Sequence, residues 1–454
     1  MRNLRIHPPG SAAFILVAGL FHAHLAPGAQ DVAQPEWVRQ VVAGKRNEAR
    51  VSWWGFNATD STEFLQKAIN SHVKRLIIDR QPSAWITGPL TGVGNQELVF
   101  EAGTELVALK GAFRGKGDCL LSFPGCTNVI IRGQKKDGGK SAHIRMQKAD
   151  YQSGAYEKSE WRHGLSLFGC HKVLIQDLAI ESTGGDGIYL GVAPDKKPNV
   201  NVVIRRVDCH NNHRQGISVI SAEKLLVEDC RLRNTAGTAP QAGIDFEPND
   251  PEDSLSDCVV RRCVAENNAG TGYQICPQSL SSRSKPISIY LEDCVSRGNT
   301  QHGIHLCSAQ KDAPGGLLRI TRFLSDNDAM AGLSVQFNPY DAVRIEMSNS
   351  EVRDSARKDS FFPPIYVQGV DSDHRPAGNI HFKHLLIKDD VERPFLKIRE
   401  GKGDGVRDIT GDIILKRNGR TESITIDDAW LRQFTPSAAV KPELPHEKAE
   451  GKRQ

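Results

Sequence analysis

The most regular feature of the sequence is a short apolar segment that begins with glycine and recurs every 23 to 31 residues. Each segment is followed by a turn of variable length and then by a second apolar segment. Apolar residues recur every second position and β-branched residues are common, a pattern typical of β-strands rather than helices. Seven glycines open these segments: Gly164, Gly187, Gly216, Gly243, Gly272, Gly303 and Gly332. A β-repeat of this period predicts coils that stack and bury one continuous core.

Aligning the repeats places like residues in columns. Positions one and three residues after each glycine are apolar in every repeat, and residues two apart on a strand point to the same face of a sheet. The second segment of each repeat adds two more apolar columns. The first column is Leu165, Ile188, Ile217, Ile244, Tyr273, Ile304 and Leu333. We therefore predict an all-β fold, a single-stranded right-handed parallel β-helix (solenoid).

The two ends of the repeat have the pattern of caps. Residues 60–70 predict a helix with Leu65, Ala68 and Ile69 on one face, and Asp60 with Glu63 predicts a capping box. Such a helix would cover the open N-terminal end of the solenoid. Near the other end, residues 408–430 predict two closing strands joined by an Asn-Gly turn. The predicted domain spans residues 45–434, and the polar tail 435–454 is expected to be disordered.

The first 28 residues predict a signal peptide. Arg2 and Arg5 precede an apolar run over residues 12–21, and residues 26–29 provide a site of small residues for cleavage. The apolar run is shorter than the roughly 20 residues that a membrane-spanning helix needs. We therefore expect an exported protein, periplasmic or secreted, that has no contact with a membrane after cleavage.

Charge and cysteine content narrow the interpretation further. The 58 basic and 54 acidic residues give a net charge of +4, which is too balanced to predict nucleic-acid binding. Most of the ten cysteines fall in the inward columns, where a thiol packs as a small apolar group. Cys276 and Cys307 instead occupy outward positions in neighbouring coils, about 4.8 Å apart at Cα, so a disulfide between them is an open alternative. We expect a monomer.

The chain resembles the pectate-lyase-like β-helix superfamily. The resemblance rests on the NATDSTEFLQKAINS helix, the GTELVALKGAF and NVIIRG strands and the glycine-opened coils, and it covers roughly residues 45–390. It implies an extracellular protein acting on polysaccharide, as a hydrolase, a lyase or a uronan epimerase. The Gly-His-Gly of polygalacturonase-type enzymes is absent, and its nearest counterpart surrounds His302 and Gly303. The resemblance therefore implies a fold and a substrate class, but no particular sugar.

Candidate site residues lie on the outward face of the glycine-opened strands. Because neighbouring coils are about 4.8 Å apart, outward residues of successive coils should form one patch roughly 20 Å long. The candidate catalytic residues are Asp245, Glu247, Asp186, Tyr189, Arg214 and His305. The candidate substrate-binding residues are Trp161, Arg162, His163, His213 and Gln274.

Paired carboxylates favour glycoside hydrolysis. Asp245 and Glu247 are two residues apart on one strand, about 6.6 Å at Cα, and Asp186 lies two coils from Asp245. Hydrolysis requires one protonated and one ionised carboxyl, and the repulsion between close carboxylates raises one pKa. Two alternatives remain: a solvated acidic stripe, or a calcium site to which Asp250 and Asp253 contribute. No other metal or cofactor is predicted.

Two further functions remain open. A polysaccharide lyase or uronan epimerase would use Arg214 or His213 to stabilise an enolate, and Tyr189 or His305 to move the proton. A non-catalytic glycan-binding β-helix would instead depend on aromatic residues such as Trp161. In all three cases the expected partner is a polysaccharide.

Overall fold

The computed structural model describes residues 33–134, 141–309, 311–356, 361–369, 375–399 and 405–432. The predicted signal peptide and the predicted disordered tail lie outside these ranges. The described helices are α1 (Pro35–Val42), a 3₁₀ turn (Val51–Trp53), α2 (Thr62–Ile69), α3 (Lys148–Tyr151) and α4 (Asp428–Leu431). No helix in these ranges is both long enough and apolar enough to cross a membrane.

The described chain contains thirty-five strands. Those before the regular coils are β1 (Glu48–Arg50), β2 (Arg75–Ile78), β3 (Trp85–Thr87), β4 (Leu90–Thr91), β5 (Gln96–Phe100), β6 (Glu105–Ala108), β7 (Leu121–Pro124), β8 (Thr127–Gly133) and β9 (Ala142–Arg145). The regular coils contain β10 (Leu165–Phe168), β11 (His171–Gln176), β12 (Leu178–Glu181), β13 (Ile188–Gly191), β14 (Asn199–Arg205), β15 (Asp208–His210), β16 (Ile217–Val219), β17 (Ala222–Glu228), β18 (Arg231–Arg233), β19 (Ile244–Phe246), β20 (Leu255–Arg261), β21 (Val264–Glu266), β22 (Tyr273–Ile275), β23 (Ile287–Glu292), β24 (Val295–Arg297), β25 (Ile304–Cys307), β26 (Gly316–Thr321), β27 (Leu324–Asp326), β28 (Leu333–Gln336), β29 (Val343–Ser348) and β30 (Glu351–Arg353). The chain closes with β31 (Ile365–Gln368), β32 (Ala377–Lys388), β33 (Leu396–Arg399), β34 (Val406–Arg417) and β35 (Arg420–Ile426).

Each regular coil contributes three strands, and each strand pairs in parallel with its counterpart in the next coil. One coil is β13, β14 and β15, which pair with β16, β17 and β18. The glycine-opened strands form an 11-stranded sheet, here called sheet B, which runs from β4 to β33. The other two faces merge into a 24-stranded sheet, sheet A. This is the predicted parallel β-helix.

The predicted inward columns form the core. Every residue of the first column has no exposed surface, and all belong to one hydrophobic cluster that runs the length of the solenoid. The glycines that open the strands also stack on one another. A Cβ on Gly216 would lie 2.4 Å from the carbonyl oxygen of Gly243, so this column excludes any side chain.

Ion pairs stack at one corner of the coils, where the chain turns from the second to the third strand. The corner residue has a positive φ in each coil, and its identity alternates between aspartate and arginine from Asp177 to Arg322 before Asn349 in the last regular coil. Arg206 pairs with Asp177, and Arg322 pairs with Asp293, through hydrogen bonds between the guanidinium and the carboxylate. The paired coils therefore carry opposite charges at this corner, where the backbone has a positive φ.

The N-terminal cap differs in detail from the prediction. Helix α2 buries Leu65, Ala68 and Ile69 as expected, but Ser61 is the N-cap residue and its side chain makes no capping hydrogen bond. Asp60 accepts a hydrogen bond from the Thr62 amide at 2.9 Å, whereas Glu63 pairs with Lys67. The predicted capping box is therefore wrong, because the helix begins two residues after Asp60. Helix α1, ahead of the predicted domain boundary, was not predicted.

The C-terminal end agrees with the prediction. Strands β34 and β35 pair antiparallel and are joined by Asn418 and Gly419, both with positive φ. This geometry is that of a two-residue hairpin turn with left-handed central residues. Below the hairpin, the Arg393 guanidinium donates to the buried carboxylate of Asp389 at 2.8 Å, which ties the last coils together.

All ten cysteines are free thiols. Cys230, Cys258, Cys263 and Cys294 are buried in the core columns, as predicted. The disulfide that the sequence left open between Cys276 and Cys307 is not formed in this structure, although their thiols are hydrogen-bonded to each other.

Candidate functional site

The outward row of sheet B has the register that the repeat predicts. The pairings place Ser166, Tyr189, Ser218, Asp245, Gln274, His305 and Ser334 opposite one another in successive coils. Much of this row is nevertheless buried, because Ser166, Ser218 and Asp245 have no exposed surface. The predicted open patch is therefore a partly enclosed cluster of polar side chains.

Asp245 is the buried centre of the cluster. Its Oδ2 accepts a hydrogen bond from Nε2 of Gln215 at 2.8 Å, while Oδ1 is buried without a hydrogen-bond partner. The orientation of the Gln215 amide follows from its other contact, since its Oε1 accepts from the Ala242 amide at 2.7 Å. Burial and the neighbouring Glu247 carboxylate raise the pKa of Asp245 well above its ordinary value. Burial therefore favours the protonated form of Asp245.

Arg214 connects the cluster to solvent. Its Nη2 donates to Oε2 of Glu247 at 2.6 Å, and its Nε lies 3.7 Å from Oε2 of Glu160. Burial acts against the charged guanidinium, but the carboxylates of Asp186, Glu247 and Asp245 outweigh it and raise the pKa of Arg214. The side chains of Glu247 and Glu160 are 33% and 29% exposed, compared with 13% for Arg214. The opening of the cluster therefore lies at the two glutamates.

Asp186, His163 and Tyr189 form the inner wall. The amide of Asp186 donates to Nδ1 of His163 at 3.0 Å, and Oδ2 of Asp186 lies 3.2 Å from the same nitrogen. The His163 ring stacks on Tyr189 with centroids 4.4 Å apart and planes 3° apart. Burial, together with the charge of Asp186, raises the pKa of Tyr189. Tyr189 is therefore poorly suited to act as a base at neutral pH.

Two predicted substrate-binding residues are engaged elsewhere. Arg162 is fully buried, where its Nε donates to the Phe113 carbonyl and its Nη2 to the Glu157 carbonyl. Its guanidinium also lies over aromatic rings of the loop before β10. In His213, one ring nitrogen contacts Gln152 at 2.7 Å and the other contacts Thr238 at 2.9 Å. Both side chains therefore hold loops in place, and their substrate-binding role stays a prediction.

The other predicted residues lie at the margins of the cluster. Trp161 is 47% exposed beside Glu160, which places it at the rim. Gln274 is mostly buried between Asp245 and His305 in the outward row. His305 lies two coils from Asp245, where its Nδ1 contacts the Ser334 hydroxyl at 3.2 Å. The structure thus brings Asp245, Glu247, Asp186, Tyr189 and Arg214 together, with His305 outside that group.

Sequence reasoning missed the roles of Gln215 and Glu160. Gln215 directly precedes its coil glycine, the position that Asp186 and His163 occupy in earlier coils, and this shared position was the available signal. Glu160 belongs to a loop, for which the repeat gives no register.

The calcium alternative involves the acidic loop after β19 and stays a prediction. Oδ2 of Asp253 accepts hydrogen bonds from the amides of Asn249 and Asp250, and the Asp250 carboxylate pairs with Lys196. Within the described ranges, no three histidine, cysteine, aspartate or glutamate side chains are grouped so as to hold a metal ion.

Comparisons with known proteins agree with this fold. A family model described as a right-handed β-helix region matches residues 153–313. The chain is 30% identical over 128 residues to the uncharacterized protein YclG of Bacillus subtilis, covering 26% of this chain and 21% of that protein. It is 28% identical over 265 residues to the prophage-derived uncharacterized protein YorA of the same organism, covering 52% and 44%. The chain therefore spans less than half the length of both curated relatives.

Several solved structures are similar in fold at low identity. A family 28 exopolygalacturonase of Yersinia enterocolitica has a TM-score of 0.54 at 12% identity, covering 84% of this chain and 79% of that one. A tailspike protein of E. coli bacteriophage HK620, in complex with a pentasaccharide, has a TM-score of 0.58 at 12% identity, covering 79% and 64%. The A-module of the mannuronan C-5 epimerase AlgE6 of Azotobacter vinelandii has a TM-score of 0.51 at 13% identity, covering 82% and 98%. These comparisons confirm the predicted right-handed parallel β-helix fold.

Proposed function

We propose that the protein is a carbohydrate-active enzyme that hydrolyses glycosidic bonds of a polysaccharide. The observation that carries this proposal is the pair of Asp245 and Glu247, in which burial favours the protonated form of Asp245 while Glu247 is partly exposed and paired with Arg214. Glycoside hydrolysis requires carboxyls in two protonation states. The solved structures of similar fold include an exopolygalacturonase and a tailspike protein bound to a pentasaccharide. These similarities support a polysaccharide as the substrate.

The burial of Asp245 determines how the pair would work. Two interacting carboxyls titrate as a unit, and the proton belongs to the pair. Since Glu247 is the exposed member, we assign to it the contact with the glycosidic oxygen, and to Asp245 the supply of the proton. Arg214 then holds Glu247 in place and stabilises the carboxylate left after the proton is transferred.

A second carboxylate is needed to attack the anomeric carbon or to activate water. Glu160 is better placed for this role than Asp186, because Glu160 is partly exposed beside Arg214 while Asp186 is fully buried. Proton NMR of the anomer released first distinguishes these two roles. Retention of the anomeric configuration indicates direct attack by the carboxylate, and inversion indicates an activated water.

The lyase or epimerase alternative is less well supported. A lyase needs a free cation near the uronate carboxylate, whereas Arg214 already contacts two glutamates. The raised pKa of Tyr189 also argues against its use as a base. The third alternative, a non-catalytic glycan-binding module, is favoured only by the exposed Trp161.

The test is a screen of the purified protein against neutral and acidic polysaccharides, with reducing ends and ultraviolet absorbance read together. Hydrolysis gives new reducing ends without absorbance. Reducing ends with absorbance would replace the hydrolase by a lyase, and binding without product would replace both by a recognition module. We also propose that the protein is exported, which the signal-peptide pattern of residues 1–28 supports.

A further inference from the structure

Cys276 and Cys307 lie side by side on the outward face of sheet B. Ile275 pairs with Leu306 of the adjacent coil. The residue that follows each of them, Cys276 in one coil and Cys307 in the next, therefore lies opposite the other. Their thiols are hydrogen-bonded to each other. Adjacent coils are about 4.8 Å apart at Cα, and disulfides span Cα separations of roughly 4.4–6.8 Å. The two thiols can therefore be bridged without moving the coils.

The surroundings favour a thiolate at Cys307. Nε2 of Gln278 donates to the Cys307 sulfur at 2.7 Å, and the Cys276 thiol donates to the same sulfur. The hydrogen bond from Cys276, supported by His305 and Gln278, lowers the pKa of Cys307 to about 5. The hydrogen bond to Cys307, burial and the charge of Asp245 raise the pKa of Cys276. A thiolate beside a thiol is the arrangement from which thiol–disulfide exchange begins.

A second pair in the core provides an internal comparison. Cys263 and Cys294 also lie in adjacent coils with their thiols hydrogen-bonded, but both are completely buried. Cys276 is only partly buried, and the exposed fraction of Cys307 is 8%. A reagent in solution can therefore reach the outward pair while the folded chain protects the core pair.

We propose that Cys276 and Cys307 are a redox-active dithiol that small disulfides convert to an intramolecular disulfide in the folded protein. The Cys307 thiolate attacks one sulfur of glutathione disulfide, forms a mixed disulfide and releases one glutathione thiolate. Cys276 then loses its proton to solvent and attacks the Cys307 sulfur, which forms the Cys276–Cys307 bond and releases the second glutathione thiolate. Two protein thiols are oxidised, and one glutathione disulfide is reduced to two thiols.

The pair adjoins the candidate site without depending on it. Cys276 occupies the position in its coil that Glu247 occupies in the preceding coil, each four residues after the coil glycine. The charges of Asp245 and Glu247 both act on the Cys276 thiol. The dithiol therefore lies beside the candidate catalytic carboxylates. Its thiol–disulfide exchange does not depend on whether the protein is a hydrolase.

Redox titration of the folded protein tests the proposal. The full chain is equilibrated in buffers of reduced and oxidised glutathione, quenched with acid, alkylated after unfolding and mapped as peptides without reduction. We expect a Cys276–Cys307 cross-link under oxidising conditions, reversal by reduced glutathione, and alkylated free thiols at Cys263 and Cys294. Free thiols at Cys276 and Cys307 throughout, or oxidation of both pairs together, would overturn the proposal.

Single variants identify the attacking thiol. In C276S the Cys307 thiolate has no resolving partner, so we expect it to retain one glutathione per chain. In C307S we expect Cys276 to react at least tenfold more slowly, because a thiol with a raised pKa is a poor nucleophile at neutral pH. Equal glutathionylation of the two variants would contradict the assigned order of attack, and no glutathionylation of C276S would contradict the proposal itself.

Discussion

A buried carboxyl in the asparagine ladder gives the sharpest prediction about stability. Asn268, Asn299 and Asp328 stack in successive coils, each fully or almost fully buried. Oδ1 of Asp328 accepts from the Asn299 amide group and backbone, and Oδ2 accepts from the Ser325 hydroxyl at 2.7 Å. Burial raises the pKa of Asp328 to about 6 despite these hydrogen bonds. Ionised Asp328 therefore destabilises the fold at neutral pH.

The substitution Asp328→Asn should remove this cost. Asn299 shows the required geometry one coil earlier, where its Nδ2 donates to the Ser296 hydroxyl at 2.9 Å. Asparagine at 328 can donate to Ser325 in the same way while its Oδ1 keeps both contacts with Asn299. A shift from the ordinary value of 3.8 to about 6 corresponds to roughly 3 kcal/mol. For a chain of this size, that free energy raises the Tm by about 4 °C.

The pH dependence separates this effect from better packing. Because the pKa of Asp328 is higher in the folded state, its protonated form is favoured by folding. That stabilisation is complete below pH 3.8 and is lost as the pH rises through about 6. Thermal unfolding followed by circular dichroism should therefore show D328N above the wild type at pH 7.5 and equal to it at pH 3.5. The exposed Asp257→Asn is the control, and an equal gain at both pH values, or no gain for D328N, would refute the reasoning.

Two further predictions concern the outer surface. His210 lies 3.7 Å from Asp208 and 2.8 Å from Glu181, and the two carboxylates, Asp208 first, raise its pKa to about 9. The stability that protonated His210 contributes is therefore complete below pH 6.5 and lost as the pH rises through 9. The Tm of His210→Gln should lie below that of the wild type at pH 6, and the difference should shrink by pH 9.5. A constant difference would exclude this ion pair. Trp161→Ala should weaken polysaccharide binding about tenfold in affinity electrophoresis without changing the Tm, because the side chain is half exposed at the rim; unchanged binding would exclude it from the site.

The fold was predictable because the repeat fixes both register and burial. Once the coil glycines were aligned, every apolar column followed, and the structure places Leu165 and Ile304 in the same buried column. The capping box failed for a local reason. The Asp60 side chain accepts a hydrogen bond from the amide of Thr62, the first residue of α2, while Glu63 pairs with Lys67, and neither contact is visible in a residue pattern.

The candidate site was predictable only where it lies on strands. Register brought Tyr189 and Asp245 into one row, but burial of that row depends on loops whose path the repeat does not specify. The contacts of Arg162 and His213 were not predictable for this reason, since each residue lies in or beside such a loop and is held by it. The contacts of charged and aromatic residues in loops were therefore the hardest to predict from the sequence.

The central claim is that the Asp245 and Glu247 pair carries hydrolysis, and a matched pair of variants tests it most directly. On the polysaccharide identified by the screen, reducing-end release should fall at least 10³-fold in both Asp245→Asn and Glu247→Gln, while the acidic-loop control Asp250→Asn retains wild-type activity. Circular dichroism verifies that each variant is folded. Wild-type turnover in either folded pair variant would contradict the account.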